Sequence, residues 1–71
     1  GVYVNRYIIK VETIDKDGVI TTDYLTKGKR TYSTNSLSDA IDAVADASKW
    51  VKGNYTICLI TEINSLGVAI V

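Results

Sequence analysis

The stretch SLSDAIDAVADASKWV, residues 36–51, decides the fold. Leu37, Ala40, Ile41, Val44, Ala47, Ser48 and Val51 recur at the 3.6-residue period and predict the inward stripe of an amphipathic helix. Ser36 can cap its start. Asp39, three positions later, has capping-box spacing, with Asp where Glu or Gln is usual. An acidic first turn also suits the positive end of the helix dipole. Lys49 and Lys52 suit the other end, and Gly53 is the residue expected just past the last turn. A single such helix must bury its stripe on another layer, and the flanking sequence offers a sheet.

Upstream, VYVNRYIIKVETI at 2–14 has the β-branched and aromatic content of a strand. DKDG at 15–18 reads as a hairpin turn, with Gly18 free to take a positive φ. A second strand follows in two pieces, 19–26 and 29–34, around a kink at Lys27 and Gly28. The alternative makes KGK the tip of a hairpin of its own. Downstream, NYTICLITEI at 54–63 is a strand, NSLG at 64–67 a turn and VAIV at 68–71 a short last strand. The expected class is α+β, in the order β-β-α-β-β, with an antiparallel sheet of about four strands and one helix on one face. NSLSDAIDAVADASKWV after two strands resembles the β-β-α opening of HicB-type antitoxins. The likeness covers about a quarter of the chain, lacks a clear third strand before the helix, and assigns no family.

The 71 residues are expected to form one domain, 1–71. A chain this small buries only about 60% of the surface its unfolded form exposes. Cys58 stands alone, so no disulfide closes within the chain, and a lone thiol fits a reducing, cytoplasmic setting. No apolar run approaches the roughly 20 residues that span a bilayer, so no membrane partner is expected. Small domains without disulfide or metal often complete their core by association, and a homodimer is expected. One helix covers one face of the sheet. Val4, Ile8, Cys58 and Ile60 fall on the other. Scattered apolar groups on a wet face are ordinary; the alternative, carried forward here, is a self-association surface.

Chemistry is sparse. The chain has no histidine, which removes the commonest general base and the commonest metal ligand. One cysteine cannot make a zinc site. DKDG opens like a calcium loop but continues VITTDY, without the ligand series or the closing Glu. No cofactor or metal is expected, and the chain reads as a non-enzyme.

Two surfaces remain. On a helical wheel Asp39, Asp42 and Asp46 fall within about 60° of arc, away from the stripe. Trp50 lies on their flank beside Ala43. Charge there can simply keep a helix wet. Tryptophan beside charge can also make a recognition surface. The second surface is TKGKR at 26–30, where Lys27, Lys29 and Arg30 stand close to Tyr32 and could grip a nucleic acid. Eight acidic and eight basic side chains leave no net charge, which weakens that alternative. The expected function is therefore non-catalytic binding of a protein partner through the acidic helix face. An inhibitor or modulator of a host or defence enzyme, of the phage or mobile-element type, fits this description. A small nucleic-acid-binding dimer is the alternative.

Overall fold

A computed structural model describes the backbone of residues 2–63 and 69–70 and the side-chain surroundings of residues 5–61. The protein is a small α+β structure. A three-stranded antiparallel sheet carries one helix, and a second, two-stranded ribbon projects from it. In chain order the elements are β1 (Val2–Ile14), β2 (Ile20–Tyr24), β3 (Thr26–Lys27), β4 (Arg30–Thr31), α1 (Leu37–Ala47), β5 (Asn54–Ile63) and β6 (Ala69–Ile70). The long β1 lies between β2 and β5, antiparallel to both. Ala69–Ile70 pairs with Ile63 and Glu62 at the outer edge of β5. The turn expected at 64–67 lies outside the described residues.

Asp15 builds the first turn. Its side chain accepts from the N–H of Asp17 (2.8 Å) and of Val19 (2.9 Å), and Gly18 takes φ +81°. Only the side-chain-free residue adopts that conformation without strain.

The kink expected at Lys27 and Gly28 is a hairpin instead. Thr26 pairs with Thr31 and Lys27 with Arg30, so Gly28 and Lys29 form a two-residue turn. Gly28 has φ +63°, and among the described residues no non-glycine residue has a positive φ, Lys29 included. That sign pattern is a type II′ turn, whose twist matches the strands it joins. A glycine inside an apparently continuous strand signals a bulge and a turn equally well, and the pairing decides between them. The hairpin is inserted into the edge of the sheet. Leu25 N–H bonds to the Ile9 carbonyl (2.8 Å) just before it. Just after it, Tyr7 and Thr34 exchange backbone bonds at 2.6 and 3.1 Å. Arg6 holds the return limb, donating to both the hydroxyl (3.1 and 3.0 Å) and the carbonyl (2.9 Å) of Ser33.

Ser36 caps the helix as expected, its Oγ accepting from Asp39 N–H at 3.3 Å. The helix starts beside Tyr7 and Thr34 and ends where Ala47 and Val51 stand over Val11 and Tyr55. The Tyr55 hydroxyl donates to the Val51 carbonyl. The helix thus runs along β1, against β5.

Its buried stripe is rotated from the expected one. Ala40 is fully buried, and Ala43, Val44 and Ala47 are half-buried. Leu37 and Ile41 are 48% and 53% exposed. Small residues on its inner side let a helix settle closely onto a sheet, and here the small Ala40, not the larger pair, is the buried residue. Gly53 is not the helix terminator that its position suggests. A Cβ there would lie 2.8 Å from the Glu12 carbonyl, so glycine is required for the chain to pass close over β1.

Of the apolar residues expected on the face away from the helix, two are covered. Ile8 and Ile60 are buried within the single chain and Cys58 is half-buried, while the surroundings of Val4 lie outside the described residues. Ile8 and Ile60 therefore present little apolar surface in the single chain.

Candidate functional site

The helix has two unlike flanks. With Ala40 pointing into the core, Asp39, Ala43 and Asp46 recur at four and three residues and fall on one side of it, with Asp42 farther out. Trp50 continues that line in the turn after the helix, where its N–H bonds to the Ala47 carbonyl at 3.0 Å. Tyr32, at the base of the hairpin, reaches the Asp39 carbonyl at 3.5 Å. The acidic flank therefore faces the hairpin side of the molecule, and Leu37 and Ile41 face the β5 side.

Trp50 is 83% exposed. The expectation that it sits on the border of the polar face understates this, because the turn carries the indole clear of the sheet. Asp39, Asp42 and Asp46 are all exposed. Among the described residues the only ion pair joins Lys10 and Glu12 at 3.5 Å, on the far face of the sheet, so no cation neutralises the three carboxylates at short range. The result is an unscreened acidic strip ending in a bare indole.

The basic candidates are brought together at the hairpin tip. Lys27, Lys29 and Arg30 are exposed and flank Gly28. Tyr32 is half-buried, with its hydroxyl turned to the helix, so it braces the hairpin and presents little ring for stacking. Cys58 lies mid-strand, its thiol 3.8 Å from the Thr56 carbonyl. Among the described residues no three acidic or cysteine side chains gather as a metal site would need, and no helix is long and apolar enough to cross a membrane. A shallow apolar cleft lined by Val11, Tyr24, Ala47, Val51 and Tyr55 carries no cluster of reactive groups.

Sequence reasoning missed the exposed pair Leu37 and Ile41 and the clamp of Arg6 on Ser33. The first was hidden because a wheel ranks residues by hydrophobicity and the packing here is set by the small ones. The second spans a loop whose course no local pattern records. Comparison with protein-family models, with curated proteins and with solved structures finds no match to this chain.

Proposed function

We propose that the protein is a non-catalytic binding module that engages a protein partner through Asp39, Asp42, Asp46 and Trp50. The observation that carries this reading is the 83% exposure of Trp50 beside three carboxylates without a nearby cation. Holding a bare indole in water is unfavourable unless something covers it, and tryptophan is enriched among residues that dominate interfaces. Unscreened acidic charge accelerates encounter with a basic surface. The partner then presents basic side chains around an apolar recess. A clamp of this kind on the basic cleft of a host or defence enzyme would make the protein an inhibitor or modulator, as phages and mobile elements use.

The test is an affinity capture from nuclease-treated bacterial lysate. The tagged parent runs beside an Asp39→Lys, Asp42→Lys, Asp46→Lys variant and a Trp50→Ala variant. One dominant protein held by the parent and lost from both variants supports the reading. A protein retained equally by all three sinks it.

A second reading rests on a different observation. Three cations, Lys27, Lys29 and Arg30, are exposed on one projecting hairpin tip. Such a tip can enter a groove or follow a phosphate backbone. Retention on DNA or RNA that falls steeply with salt and is lost in Lys27→Ala, Lys29→Ala would favour it over the first.

A further inference from the structure

We infer that the cleft between the end of α1 and β2 seats one arginine side chain of the protein partner, with its stem on the apolar floor and its guanidinium on Asp23. The inference rests on the reading of the helix flank as a protein-binding surface and deepens it. Asp23, Val11 and Tyr55 lie side by side across β2, β1 and β5. Directly opposed residues of neighbouring strands share one face of the sheet. Val11 is buried on the face where Ala47 and Val51 stand, so Asp23 and Tyr55 belong to that face as well. With Leu25 these residues line a cleft of about 200 Å³. The Tyr55 hydroxyl donates to the Val51 carbonyl, which ties the floor to the chain leaving the helix before anything binds. The cleft is built from residues between 11 and 55, on the β2 side of the sheet, whereas β6 pairs at the opposite edge.

Size, polarity and charge choose the occupant. Sites for whole small molecules run to about 300–1,000 Å³, so this cleft suits a single side chain. Val11, Ala47 and Val51 offer aliphatic surface to a methylene stem. Asp23 stands about one strand spacing away, roughly 5 Å, at the exposed end of the row. Among the described residues no cation lies within ion-pair distance of its carboxylate. A wholly apolar occupant would strip water from that charge and return nothing. A long cationic side chain instead buries its stem and keeps its head at the carboxylate. Arginine fits better than lysine, because guanidinium is the less strongly hydrated cation and can meet a carboxylate with two parallel hydrogen bonds. Leu25 and Thr26, at the foot of the hairpin, form one wall, so the cleft opens on the side that the acidic flank faces. A second copy seated there about a two-fold axis would bring Asp39, Asp42 and Asp46 against their own counterparts, which like charge opposes. A basic partner meets the strip and the cleft together.

The test is a titration of the full chain with N-acetyl-arginine amide, followed by ¹H–¹⁵N shifts at constant ionic strength, to roughly 100 mM so that millimolar affinity is captured. N-acetyl-citrulline amide, the neutral isostere, runs beside it. Saturable shifts are expected at Val11, Asp23, Leu25, Ala47, Val51 and Tyr55, with the arginine probe bound at least about threefold more tightly than citrulline. Asp23→Asn should erase that preference while the fold is kept. Ala47→Met, an unbranched side chain of good helix propensity, should fill the cleft and abolish binding of both probes with circular dichroism unchanged. Four results would overturn the inference: no saturable shift at the cleft; equal binding of the two probes; a preference that survives Asp23→Asn; or cleft shifts produced by protein concentration alone, which would assign the cleft to a second copy. The probe needs no partner, so its failure removes the cleft and leaves the flank reading standing. A captured protein retained equally by the Asp39, Asp42 and Asp46 charge-reversal variant and by Trp50→Ala removes the flank reading whatever the probe does.

Discussion

Tyr7 and Thr34 exchange backbone hydrogen bonds at 2.6 and 3.1 Å, and this pair fixes where the helix begins. Thr34 is buried there, and its hydroxyl accepts from Ser36 N–H at 3.1 Å. Ser36 then caps α1 through Asp39 N–H. One residue anchored on the sheet thus positions the cap that starts α1.

Removing the cap tests that chain of dependence. Ser36→Ala should cost about 1 kcal/mol of unfolding free energy. Thr34→Val, which keeps the shape and loses the hydroxyl, should cost about 1 kcal/mol as well. Urea denaturation of both and of the double variant checks this; coupling appears as a double-variant loss smaller than the sum.

Ala40 is fully buried. Ala40→Leu should overpack the helix–sheet contact and cost about 1–3 kcal/mol, whereas Ile41→Ala, on the exposed flank, should change stability by less than about 1 kcal/mol. An outward-facing Ile41 is decided by this comparison, because the wheel alone ranks the two positions in the opposite order.

Gly53 and Gly18 should respond differently to alanine. At Gly53 the added carbon meets a backbone carbonyl at 2.8 Å, so the strand or the chain crossing it must move, with an expected loss of about 1–3 kcal/mol. At Gly18 space is open and only the φ of +81° is unfavourable, with an expected loss of about 1 kcal/mol. Thermal melts of the two variants should rank Gly53→Ala below Gly18→Ala.

Trp50→Ala should leave stability within about 0.5 kcal/mol, because the indole buries little in the free chain. Its fluorescence in the parent should be that of a water-exposed indole, quenched readily by iodide, and should shift to shorter wavelength on partner binding. A blue emission already present in the dilute free protein would contradict the exposed position.

Much of this architecture is legible in the sequence. Period-2 alternation over 2–14 and 54–63 and the period of 36–51 are enough for the strands, the helix and the antiparallel layers. Asp15 and Gly18 announce their turn, and Ser36 announces the cap. Three features are not legible, each for a physical reason. Gly28 signals irregularity but not its kind. The hydrophobic stripe of 37–51 is wide, and packing on the sheet puts its centre at the small Ala40. Ile8 and Ile60 are buried on the face away from the helix, which alternation along one strand cannot report. Asp39, Asp42 and Asp46 were readable as a surface strip. The extent to which Trp50 stands clear was not, because it depends on the turn that ends the helix.

The hairpin of β3 and β4 is held at its two feet and nowhere essential between them. Leu25 is fastened to Ile9 before it and Thr34 to Tyr7 after it, with Arg6 gripping Ser33 at the return. Residues 26–31 are all exposed. The segment behaves as a socket: its ends are held at a fixed spacing by bonds that do not depend on what lies between. A foreign peptide or a longer ribbon exchanged for TKGKRT should leave the melting temperature of the remaining domain nearly unchanged. The same arrangement lets natural variation rewrite an exposed surface of the molecule without disturbing the fold beneath it.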